Sequence, residues 1–403
     1  MPYSLRSVLV VIVGAVGVAI VADRLVSAPG FINPRDFLEY WAAGAANIRG
    51  GNPYDPAELL RWQQLADPDR TGAVMMWNPP WSLAVYMPLG LLPARWATLV
   101  WIGAQLLATI VASCFLWRVY DGPAARWWVG PAIGVTFAPV VWAVLFGQNT
   151  GFVLLGLAGF AHYRKLGRPA MAGAFAALTA LKPHLLAVFG VVLVLDAITR
   201  SGRVALAAGV GTLAAGLGLV VLANPAVLGQ YVQALRSPGA GAVPLDEWVL
   251  PVASYWLRVG LRAGFWVQFV PCGLACLGYS AYRLAQGARW DWSVNLPWVV
   301  WVSVFTTPYG GWVFDLTVLL VPVIAVAATV TLRRRWALAA VLAMGNLAIT
   351  TVSLVGDFTG PGFYWVAPAI FGLCGLALWT EAPRPSSGRL VVSGDGPSTG
   401  PIS

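Results

Sequence analysis

The chain has 403 residues, 59% of them hydrophobic and 10% charged, with a formal net charge of +9 and a mean hydropathy of +0.73. Soluble domains carry roughly 25% charged residues, so this composition excludes a water-soluble enzyme and places the chain in lipid. The positive balance does not indicate nucleic acid, because the excess is Arg in short loops between apolar runs, as the positive-inside rule expects.

A bilayer-crossing helix needs about 20 mainly apolar residues, and roughly ten such runs follow one another, several short or broken by Pro. In lipid only helices and closed barrels satisfy the backbone, and these Leu/Ala/Val-rich segments lack the alternation of barrel strands. The expected fold is an all-α polytopic membrane protein of roughly 9–12 transmembrane helices. Cys114, Cys272, Cys276 and Cys374 sit inside apolar runs without a CxxC pair and read as small buried hydrophobes. His162 and His184 are the only histidines, which rules out a His-rich metal site; no metal or other cofactor is expected.

In chain order, the first apolar run, 8–21, follows Arg6 and is expected as a retained helix rather than a cleaved signal peptide. With Arg6 inside, the next stretch, about 23–78, becomes a large first extracytoplasmic loop. Asp23, Asp36, Glu39, Asp55, Glu58, Asp67 and Asp69 fall here, seven of the chain's 16 acids, and with five Arg the loop is net −2. A chain this apolar that gathers its acids in one loop is expected to do its chemistry there. Residues 79–92 are too short to span and are expected along the interface or as a short tilted helix. The basic loops 162–168, 200–203, 283–289 and 333–335 are expected in the cytoplasm. Residues 170–195 are interrupted by Lys182-Pro183, which suggests two half-helices. Residues 224–250, rich in Pro, are expected outside, facing the first loop. The membrane domain then covers 1–382, and the Ser/Gly/Pro-rich tail 383–403 is expected to be disordered.

If 35–47 form a helix, Asp36, Glu39, Tyr40 and Ala43 share one face. Phe37 and Trp41 then occupy a neighbouring face suited to the membrane interface. A carboxylate at that position can take a proton from a sugar hydroxyl, a role worth about 10²–10⁴-fold in rate; the alternative is that Asp36 caps the helix. Gly50 to Pro56 reads as a compact turn, and Asn78-Pro79-Pro80 as the start of the next helix. Gln148 and Asn149, between apolar runs, can bind a sugar hydroxyl or cap a helix. Lys182 costs about 2.5–3.5 kcal/mol inside the apolar zone, which marks it as functional, although Lys also snorkels. Beside it, His184 and a broken helix suit a lipid-linked phosphate. Asp315 reads equally as a helix-dipole partner or a functional acid. Arg258 and Arg262, one turn apart, either grip an anion or mark a loop.

Asp36-Phe37-x-x-Tyr40-x-x-Ala43, Gly51-Asn52-Pro53-Tyr54-Asp55, Asn78-Pro79-Pro80, Gly147-Gln148-Asn149 and Leu181-Lys182-Pro183-His184 occur in this order. The set resembles glycosyltransferase family 87, GT-C-fold membrane enzymes, from about residue 31 to 185, with a weaker echo near Thr307–Asp315. The resemblance implies a plasma-membrane enzyme that moves a sugar by inverting displacement at its extracytoplasmic face. Its donor would be a polyprenyl-phosphate sugar, most commonly mannose, with arabinofuranose the alternative. Its acceptor would be a glycolipid or glycan. Asp36 would be the catalytic base, and Lys182 with His184 would hold the donor phosphate. Glu39, Tyr40, Tyr54, Asn78, Gln148 and Asn149 would bind substrate. A secondary transporter also explains an intramembrane Lys and broken helices. It gives no reason for the acid-rich first loop, and no internal repeat is visible.

Overall fold

The computed structural model describes residues 36–236, 247–333, 335–355 and 360–381. The first apolar run, residues 23–35 of the acidic loop and the tail 383–403 lie outside that set. Among the described residues every regular element is helical and none is a strand, which is the solution lipid imposes on an open chain.

Among the described residues, four helices are long and apolar enough to cross a bilayer: Ala94–Val119, Arg200–Ala223, Asp315–Leu332 and Trp336–Val355. Ala124–Thr136 and Ala138–Phe146 meet at a 54° bend and make a fifth if they form one span. Pro139 explains the bend, since Pro is tolerated in a helix's first turn but not deeper, so a new helix must begin just before it. Pro169–Leu181, Ala187–Ile198 and Val366–Ala377 are shorter apolar helices. The interruption suggested at Lys182-Pro183 is present, with helical turns ending at Leu181 and resuming at Ala187.

Phe37–Ile48 is a helix, close to the expected bounds. Residues 79–92 form three short helical turns, Pro80–Ser82, Leu83–Tyr86 and Leu89–Leu91, packed against it. Two glycines permit the crossing: a Cβ on Gly44 would lie 2.4 Å from the Tyr86 carbonyl oxygen, and one on Gly90 2.4 Å from the Ala45 nitrogen. This packing corrects one expectation. Phe37 and Trp41 do not face the membrane interface but are 0% and 4% exposed. Phe37 stacks on Trp101, and the Trp41 indole donates to the Leu92 carbonyl at 3.0 Å.

The bundle has two chemically different ends. At one, Asp196, 1% exposed, accepts from Arg164 at 2.9 Å, Arg283 at 2.8 Å and the Trp292 indole at 3.2 Å. Lys165 pairs there with Asp121 at 2.7 Å, and Arg126 donates to the Thr331 carbonyl. The four basic loops therefore gather at this end. Ala94–Val119, Thr150–Lys165, Trp292–Thr306 and Leu320–Leu332 lead from it toward the opposite end, where the first loop sits. There the polar interruption after Ala223 meets that loop: the Asn224 amide donates to Gly51 O at 2.7 Å and to Asn47 Oδ1 at 3.2 Å. Tyr231 packs on Tyr54, and Trp248 lies edge-on to Trp77.

Candidate active site

Between the first loop, the Lys182 break and the 309–315 segment lies a cavity of about 850 Å³. Seven of the nine residues singled out in the sequence line it: Asp36, Glu39, Tyr40, Asn78, Gln148, Lys182 and His184. The other two stand behind the wall. Tyr54, 2% exposed, donates to the Asn78 carbonyl at 3.2 Å, and Asn149, fully buried, donates to the Tyr86 hydroxyl at 2.6 Å.

Asp36 precedes the first turn of its helix but makes no side-chain cap there. Its Oδ2 accepts instead from the Gln148 amide at 2.7 Å. Gln148 is aimed by Gly147, which closes the Ala138–Phe146 helix at φ 72°, a left-handed conformation that glycine adopts without strain. The Trp101 indole fixes that turn by donating to Gly147 O at 2.7 Å. Gln148 Oε1 accepts from both the Tyr40 hydroxyl, at 2.9 Å, and Lys182 Nζ, at 2.7 Å. With its oxygen held by two donors, the amide can present only its N–H to the carboxylate.

Lys182 also pairs with Asp315 Oδ1 at 2.6 Å, both groups nearly sealed from solvent. Two of its three ammonium protons are thus engaged, and the ammonium lies 4.9 Å from the centre of the Phe314 ring. Asp315 Oδ2 accepts from the Trp312 backbone N–H at 3.2 Å. The turn that makes this possible is Gly310-Gly311, with φ 71° and 74°. A Cβ at Gly310 would come within 3.0 Å of both Asp315 Oδ2 and His184 Nε2, so only glycine lets these groups approach. A continuous chain of charge-assisted hydrogen bonds therefore runs from Asp36 through Gln148 and Lys182 to Asp315.

Glu39 and His184 line the same cavity, as does Glu247. Burial, then the neighbouring Asp36 charge, pushes the Glu39 carboxyl well above its usual range. Burial pulls His184 down to about 4, against the pull of Asp315, so near neutral pH its ring is an uncharged donor–acceptor. Asn78 shapes the floor by donating to Leu181 O at 2.8 Å, which ties the first loop to the broken helix. Trp77, Trp248 and Trp312 give the cavity aromatic walls. Sequence reasoning weighed Asp315 evenly, met Trp77 only as the aromatic before Asn78-Pro79-Pro80, and gave Trp248 and Trp312 no role. The 306–315 stretch, polar and Gly-rich in an apolar chain, was the available signal for Asp315 and Trp312. Nothing in the sequence set Trp248 apart from the chain's 21 Trp. Among the described residues no group of three or more His, Cys, Asp or Glu is arranged to hold a metal ion.

No curated protein and no solved structure matches the chain. A model of glycosyltransferase family 87 matches residues 77–308, a stretch that carries Asn78, Gln148, Asn149, Lys182 and His184 and lies between Asp36 and Asp315. That match covers more than half of the 403 residues, so the chain, a multi-pass membrane glycosyltransferase, belongs to glycosyltransferase family 87.

Proposed function

We propose that the chain moves mannose from a polyprenyl-phosphate donor to a glycolipid or glycan acceptor at the extracytoplasmic face of the plasma membrane, inverting the anomeric carbon. One membrane domain, residues 1–382, would carry the reaction, with the catalytic loop at about 23–78. The observation that carries this reading is the Asp36 carboxylate on the cavity wall, one oxygen held by Gln148 and thereby linked to Lys182 and Asp315. Asp36 takes the proton of the acceptor hydroxyl as that oxygen bonds to the anomeric carbon. The bond from the anomeric carbon to phosphate oxygen breaks, and polyprenyl phosphate leaves with the electron pair. The third Lys182 proton and the neutral His184 ring hydrogen-bond the departing phosphate, where charge develops. Glu39, Tyr40, Asn78 and Gln148 position the sugars from the cavity side, and Tyr54 and Asn149 support them from behind.

Two further observations support the reading. Sugars present apolar ring faces that aromatic walls such as Trp77, Trp248 and Trp312 accept. The basic loops lie at the end of the bundle away from the cavity, which by the positive-inside rule supports a cytoplasmic basic end and an extracytoplasmic cavity. The test is sugar transfer by the purified protein from synthetic polyprenyl-phosphate mannose, with Asp36→Asn beside it. Product from the wild type and a loss of about 10²–10⁴-fold in the variant is the expected result. Turnover of the arabinofuranose donor alone would reassign the sugar, and wild-type rates in Asp36→Asn would remove the mechanism.

A further inference from the structure

A second cavity, of about 230 Å³, opens between the Val129–Thr136 helix and the Trp336–Val355 helix, with Leu320–Leu332 as its floor. Its walls are apolar, among them Ile133, Phe137, Val326, Ala339, Leu342 and Leu373. The Asn346 amide donates to the Thr136 carbonyl at 2.9 Å and closes it on the side nearer the first cavity. Toward the basic end the crevice reaches Thr331, whose carbonyl accepts from Arg126 at 3.3 Å. The Arg126 guanidinium lies 4.3 Å over the Trp336 ring. Arg333 and Arg335 are on the adjoining loop, and Trp127, Trp128 and Trp336 are all more than half exposed around the rim.

We propose that this crevice binds one acyl chain of an anionic phospholipid from the leaflet at the basic end, with the lipid phosphate on Arg126. Three features fit that occupant. Exposed Trp cluster at headgroup depth, so the rim lies where a lipid phosphate lies. The wall from Trp336 to Asn346 is about 15 Å long at helical rise, half of a roughly 30 Å hydrocarbon core and so one leaflet deep. The rim is positive, and an Arg near an anionic headgroup favours it about fivefold over a zwitterionic one. The donor lipid does not fit, because its phosphate belongs in the cavity at the other end of the Leu320–Leu332 helix.

The test needs no transfer activity. The full-length protein, delipidated in detergent, is titrated with dioleoyl-phosphatidylglycerol or dioleoyl-phosphatidylcholine, and bound lipid is counted by native mass spectrometry. One saturable phosphatidylglycerol, held about fivefold more tightly than phosphatidylcholine, is expected. Arg126→Gln should abolish the preference, and Ala339→Phe, which fills the crevice, should abolish the saturable binding of both lipids. Equal retention of the two lipids by the wild type, or an undiminished preference in Arg126→Gln, overturns the proposal. If Arg126→Gln fails to fold, unchanged saturable retention in Ala339→Phe overturns it equally.

Discussion

Gln148 is the hinge of the site at the scale of single residues, since one amide connects a carboxylate to an ammonium. Gln148→Glu keeps its shape but sets a second negative charge beside Asp36, which raises the pKa of a carboxylate base. The acid limb of the pH–rate profile should therefore move upward in Gln148→Glu, and an unmoved profile would sever Gln148 from the base. His184 makes a different prediction, in stability. Its pKa falls from 6.5 unfolded to about 4 folded, so between these values the unfolded chain binds more protons. Stability is then full above pH 6.5 and drains away as the pH drops toward 4. Thermal unfolding in detergent should show that decline in the wild type and a shallower one in His184→Asn. Asp36 and Lys182 were legible in the sequence because charges in so apolar a chain are conspicuous. The bond between Lys182 and Asp315 was not, because it joins positions 133 residues apart. Tyr54 and Asn149 show the other limit: a motif places a residue near a site without fixing which way its side chain turns.

Among the elements, the broken helix at 182–186 brings Lys182, Pro183 and His184 to the cavity, and it was readable because Pro183 follows a Lys in an otherwise apolar stretch. What it packs against was not readable. Lys182 is held there by Asp315 in a nearly sealed pair. Removing one partner of such a pair strands a buried charge and costs about 3–5 kcal/mol, whereas replacing both with apolar groups is often close to neutral. Lys182→Met should therefore lower the unfolding midpoint in detergent sharply, and Lys182→Met with Asp315→Leu should restore much of it. Equal destabilisation by the single and double variants would show that the pair does not hold the break. The Phe37–Ile48 helix carries the opposite lesson. Its period was legible, but Phe37 and Trp41 are buried because residues 79–92 fold beneath the helix, which periodicity within the helix cannot reveal.

For the whole molecule, composition alone was enough to specify a helical membrane bundle. Loop charge already suggested which ends share a side, but the meeting of Arg164 and Arg283 on one Asp196 was not legible, since only the fold brings them together. In a background with the four native Cys replaced by Ser, Asp69→Cys should react with a membrane-impermeant maleimide on intact cells. Arg203→Cys should react only after lysis. Both residues are exposed, so the reverse pattern would invert the proposed orientation. At the basic end Asp196 is matched to two guanidiniums, and Asp196→Ala should destabilise by about 3–5 kcal/mol because it leaves the buried Arg283 without its counter-ion.

The long sequence separation within the Lys182–Asp315 pair also has a consequence for biogenesis. A ribosome adding about 5–20 residues per second completes Lys182 on the order of ten seconds before Asp315 leaves the peptidyl transferase centre. During that interval its hydrogen-bond partner is Gln148, synthesised 34 residues earlier, with the Asp36 and Glu39 carboxyls close by. The half-built bundle thus carries Lys182 without the ion pair that seals it, and the network along the cavity wall is complete only once Asp315 has joined it.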